Sequence, residues 1–81
     1  MSFSTPIAIT AFRFNRAANA IPRRIEFDGR SYDLTDSYKM ITITSDDGAE
    51  TIFDVSDGTH RFRLREHMFS WWLVGMSSEN T

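Results

Sequence analysis

Residues 50–65 read ETIFDVSDGTHRFRLR, and this stretch decides the fold class. Phe53 and Val55 alternate with Asp54 before Asp57-Gly58. Phe62 and Leu64 alternate with Arg61, Arg63 and Arg65 after it. Alternation with period two marks a half-buried strand, and Asp-Gly accepts the positive φ angles of a two-residue hairpin turn. With that turn, Val55 faces His60, Phe53 faces Phe62 and Thr51 faces Leu64. The other face sets Asp54 against Arg61, Ile52 against Arg63 and Glu50 against Arg65. One register thus brings aromatics together and opposite charges together.

Working outward, the same signal recurs at Asp28-Gly29 and Asp47-Gly48. A two-residue loop at Asp28-Gly29 sets Phe27 against Arg30, Ile25 against Tyr32 and Arg24 against Asp33. The middle turn is read as a three-residue loop closed by a left-handed Gly48, with Ile41 opposite Phe53 and Ile43 opposite Thr51. Leu64 to Met76 reads as a final hairpin with a longer loop over Glu66 to Ser70. Upstream, residues 7–14 form an N-terminal strand whose phase breaks near Ala11, the mark of a bulge. Residues 15–22 are expected as a linker, 23–76 as the hairpin meander and 77–81 as a disordered polar tail.

The expected fold is therefore all-β: a small antiparallel meander of six to seven short strands curled into a barrel, since closure removes exposed edges. The strand–Asp-Gly–strand start, the later hairpin and the terminal Trp-x-Leu-Val strand of residues 22–76 resemble small bacterial all-β domains of SH3-like layout. That resemblance rests on layout and implies an SH3-like barrel. It transfers no functional residue.

Eighty-one residues allow one domain with a thin core. The chain has no cysteine, which removes disulfides, thiolate chemistry and most small zinc modules. Its longest apolar run, Trp71 to Met76, is far short of the roughly 20 residues a membrane helix needs. The N-terminal 25 residues carry four arginines and no acid. Pro6 and the Ile7/Ile9 alternation nevertheless favour an extended chain over a helical targeting segment, so this region is read as structural and the protein as cytoplasmic. His60 and His67 have no metal-ligand spacing. The acidic pairs Asp46/Asp47 and Asp54/Asp57 sit at turns. No nucleophile elbow or phosphate loop is present. The expectation is a non-enzymatic protein with no cofactor, no metal and no small-molecule substrate.

Two surfaces remain as candidates. Phe69, Trp71, Trp72 and Met76, with Met68 nearby, have the composition of a protein-interface hot spot, for a partner protein or a second copy of the chain. Trp71 and Trp72 must point to opposite faces of their strand. Strand phase alone does not decide which ring is buried. Trp71, in phase with Leu73, is preferred for the core over Trp72, in phase with Val74 and Met76, and the alternative is that residues 7–14 cover the second face. The competing surface is Arg61, Arg63 and Arg65 on one strand face, with Arg23 and Arg24, which would suit single-stranded nucleic acid. The residues after Ile25 carry five basic and eleven acidic side chains, which disfavours it.

Overall fold

The structure is a computed structural model that describes residues 4–79. It contains eight strands and no helix among those residues: β1 (Thr5–Pro6), β2 (Ala8–Phe14), β3 (Ala20–Phe27), β4 (Arg30–Asp33), β5 (Tyr38–Ser45), β6 (Gly48–Ser56), β7 (His60–His67) and β8 (Ser70–Ser78). All pairings are antiparallel. The strands do not close into one barrel. They form a five-stranded sheet, β1-β8-β7-β6-β5, and a three-stranded sheet, β2-β3-β4. The chain changes sheet at two corners. At Ile7 its N–H donates to the Trp71 carbonyl (3.2 Å), and at Thr35 the N–H donates to the Ser56 carbonyl (2.7 Å). Strands that bend from one sheet into the other let a short chain cover its core without complete closure.

The sheets meet through one core. Ile21, Ile25 and Leu34 from the small sheet side pack against Phe53, Val55, Phe62, Leu64 and Leu73 from the large one. Tyr32 stacks on Phe27 at 5.1 Å and meets Phe62 edge-on at 5.1 Å, tying the aromatic end together. Such pairs contribute about 0.5–1.5 kcal/mol each beyond their burial.

The first hairpin has the expected register: Phe27↔Arg30, Ile25↔Tyr32 and Arg24↔Asp33. Asp28 and Gly29 both have positive φ, 53° and 72°, as a type I′ turn requires. The bulge expected near Ala11 is present, as β2 shifts register between Ile9 and Phe12.

Three registers differ from expectation. Around Gly58 the pairs are Val55↔Phe62, Phe53↔Leu64 and Asp54↔Arg63, two residues from the predicted ones. A slip of two preserves the faces. Its cause is Asp57, whose Oδ1 accepts the N–H groups of Thr59 (2.8 Å) and His60 (2.6 Å), lengthening the turn. In the middle hairpin Ser45 pairs with Gly48, so Met40 rather than Ile41 faces Phe53. That slip of one turns Ile41 and Ile43 to solvent, 59 % and 47 % exposed. The last hairpin has a two-residue turn, Met68-Phe69, in place of the longer loop, closed by His67↔Ser70.

The boundaries shift accordingly. Residues 20–22 are strand rather than linker, and Ile21 and Pro22 are buried. Asn15 makes this compact: its Oδ1 accepts the N–H groups of Ala17 (2.9 Å) and Asn19 (3.0 Å). At the other end β8 runs through Ser78, and Glu79 is held in place. Its N–H donates to the Thr59 carbonyl (2.9 Å) and its carboxylate accepts the Ser56 hydroxyl. The tail expected over 77–81 is thus ordered through Glu79, and positions 80–81 lie outside the described residues.

Candidate functional site

Residues from both sheets line a groove of about 880 Å³. Its walls come from segments distant in sequence: Ile7 and Ile9 at the first corner, Phe12 on β2, Met40 on β5, Phe53 on β6 and Trp71 on β8. Trp71 forms the centre, with ring centroids 5.3 Å from Phe53 and 6.0 Å from Phe12. Thr42, Thr51 and Glu66 supply polar groups along the groove. A mostly apolar concavity with a few polar groups is the usual form of a binding site.

The β7–β8 turn stands at the lip. Phe69 lines the groove yet is 95 % exposed, and Met68 beside it is 76 % exposed. Both have positive φ, 51° at Met68 and 67° at Phe69. A two-residue hairpin with both φ angles positive is a type I′ turn, which favours Asn-Gly or Asp-Gly because a Cβ is strained there. Two large apolar side chains therefore hold an unfavourable backbone conformation while gaining almost no burial. The Glu66 carboxylate accepts the Phe69 N–H (3.1 Å) and fixes the turn.

The structure brings together only part of the expected interface. Phe69, Trp71 and Trp72 all border the groove. Trp71 points inward with Leu73, the alternative preferred from the sequence, and Trp72 points outward. The outer ring is not bare: the Arg65 guanidinium lies 4.4 Å from its centroid, a cation–π contact. Met76 is elsewhere. Leu73 pairs with Leu64 and Gly75 with Arg63, which leaves Val74 as the bulge residue and puts Met76 opposite Phe62. Met76 borders a separate depression of about 440 Å³ with Arg61 and Arg63, distinct from the groove. The bulge cannot be read from the continuous run Trp71 to Met76. Ile7, Ile9 and Phe12 were not foreseen as site residues, because only the sheet crossing at Ile7 brings them to Trp71.

The candidate arginines are distributed over both sheets, and four of the five lie beside a carboxylate. Arg63 donates to Asp54 (2.8 Å), Arg65 to Glu50 (3.2 Å), and Arg61 lies 3.6 Å from Glu79. The hydrogen bond from Arg63 holds the Asp54 carboxyl below its ordinary range, against a smaller opposing effect of burial. Arg24 bonds Asp33 (2.6 Å) on the three-stranded sheet, where Arg23 also lies, away from the β7 row in topology. His60 sits beside Tyr32 and Phe62, its Nδ1 3.3 Å from Asp57. His67 Nδ1 lies 3.3 Å from the Ala49 carbonyl. Among the described residues, no group of three or more His, Asp or Glu side chains is placed to hold a metal ion. No helix among them is long and apolar enough to cross a membrane.

Comparison with protein-family models, curated protein sequences and solved structures finds no match to this chain.

Proposed function

We propose that this chain is a non-enzymatic protein-interaction module that receives an extended apolar segment of a partner in the groove between its sheets. Met68 and Phe69 act as the anchor at the lip and Trp71 as the floor. One observation carries the reading: the Met68-Phe69 turn holds two exposed apolar side chains at φ angles of 51° and 67°. Strain without compensating burial is a feature of surfaces kept for contact with something else. Large apolar side chains ringed by polar groups are the usual anchors of protein interfaces. The SH3-like layout of residues 22–76 belongs to the same reading, as an open two-sheet variant in a bacterial, cytoplasmic protein.

Peptides selected from a random display library test it. Selected sequences should be rich in aromatic and aliphatic residues, and a Met68→Asn/Phe69→Gly variant should bind them at least tenfold more weakly. Equal binding by that variant would remove the turn from the site. Binding of single-stranded oligonucleotide that falls steeply with salt would favour the arginine surface instead.

A further inference from the structure

We infer that β5 is a self-association edge, pairing antiparallel with β5 of a second copy to continue the five-stranded sheet across a two-fold axis. This edge is separate from the Met68-Phe69 turn, although Met40 and Thr42 of the same strand line the groove. β5 is the last strand of its sheet, so one side of its backbone has no strand partner among the described residues. Such an edge carries unpaired N–H and C=O groups ready to template another strand. Proteins that stay monomeric usually protect such an edge with lysines or other charges, proline, a bulge, a covering loop or a short strand. β5 has no proline and no bulge, and its one lysine lies near the start of the strand, leaving residues 40–45 without a charge. It is eight residues long, reads YKMITITS, pairs with β6 in an unbroken register and carries a single charge, Lys39.

The outer face of this edge also carries exposed apolar side chains. The one-residue register finding exposes Ile41 and Ile43, and Ile52 lies directly beside Ile41. A two-fold axis perpendicular to the sheet keeps each side chain on its own face, so a residue of one parity must meet one of the same parity. Centring the pairing on Thr42 satisfies this. It sets Thr42 opposite Thr42 of the second copy, and Ile41 opposite Ile43 of the second copy, twice over. Lys39 then lies opposite Ser45 of the second copy, next to that copy's Asp46-Asp47 turn. The only cation of each edge thereby meets an acidic turn. This centre also leaves Tyr38 outside the ladder, where it is already engaged: Asn15 donates to its hydroxyl (3.0 Å) and Arg13 lies over its ring at 5.3 Å. An edge pair between identical surfaces forms a closed dimer rather than an open filament.

Sedimentation equilibrium of the full chain over a range of concentrations tests this. The wild type should form a reversible dimer and no larger species. Ile43→Lys, at an exposed position, should keep the fold by circular dichroism and weaken the dimer at least tenfold. Lys39→Glu should also weaken it, and so should Asp46→Lys/Asp47→Lys. Combining the three changes should restore it to within about threefold of the wild type, a rescue specific to this pairing. Met68→Asn/Phe69→Gly should leave it unchanged. A wild type that stays monomeric at millimolar concentration overturns the inference. So does a dimer that withstands Ile43→Lys, or one lost on changing Met68 and Phe69 instead.

Discussion

Replacing Met68-Phe69 by Asn-Gly should make the protein more stable. A left-handed backbone costs a residue with a Cβ about 1–2 kcal/mol, and Asn and Gly carry much less of that penalty. Both native residues sit in this region, at φ 51° and 67°. Full burial of a Met or Phe side chain is worth about 1.5–3 kcal/mol. With Phe69 95 % and Met68 76 % exposed, truncation forfeits only a small part of that. Glycine adds back about 0.5–1 kcal/mol of backbone entropy. The Glu66 carboxylate still finds the N–H of residue 69, because a glycine has one too. The net expectation is a gain of about 1–2 kcal/mol, and for a domain of this size that raises Tm by roughly 4–16 °C. Thermal unfolding followed by circular dichroism at neutral pH measures it directly. An unchanged or lower Tm would refute the reasoning, since the turn would then be neither strained nor free of stabilising contacts.

Further outcomes follow from other contacts of the fold. Trp71→Ala should destabilise by about 2–4 kcal/mol, because the ring packs on Phe53 and Phe12 at the end of the core. Trp72→Ser should cost about 1 kcal/mol, mainly its contact with Arg65; urea titrations of the two variants should separate them clearly. Asp57→Ala should cost about 1–2 kcal/mol at pH 7 through loss of two backbone hydrogen bonds, whereas Asp57→Asn should retain most of them. Burial acts to raise the Asp57 pKa, but the N–H groups of His60 and Thr59 and the His60 ring outweigh it and leave the carboxyl below its ordinary range. Its contribution is therefore fully present above the unfolded value, about 3.9, and is lost as pH falls through the lower folded value. Stability profiles between pH 2 and 7 should show a shallower acid limb for Asp57→Asn than for the wild type.

How far the fold could be read from residues depends on how locally each turn was specified. Asp28-Gly29 states its turn type outright, and its hairpin has the expected pairs. At Asp57-Gly58 the same dipeptide misleads by two positions. There the aspartate acts as a cap on the N–H groups of Thr59 and His60 rather than as a turn corner. Faces survive a slip of two, so the buried set Phe53, Val55, Phe62 and Leu64 was still legible. The middle hairpin slipped by one, and that error hid the exposed Ile41 and Ile43. Nothing local marks the division into two sheets. It depends on the corners at Ile7 and Thr35, each fixed by a hydrogen bond to a strand more than twenty residues away in sequence.

The turn that sequence rules describe worst is the one beside the groove. Met-Phe between two strands carries none of the residues that favour φ > 0, so a longer loop was the reasonable expectation. The tight turn forms because its neighbours over-determine it. His67 pairs with Ser70, the β7–β8 ladder continues for the length of both strands, and Glu66 accepts the Phe69 N–H. Local preference is then overridden by long-range pairing, at a cost the fold carries in one place. Departures of this kind concentrate where a surface is kept for a purpose other than stability. The first hairpin makes its turn at positive φ with Asp28-Gly29, a pair suited to that conformation. Met68 and Phe69 are thus placed by the scaffold rather than by their own conformational preference. In the proposed interaction module, this turn sets the backbone under both apolar anchors before a partner arrives, and preorganisation of that kind lowers the ordering cost of binding.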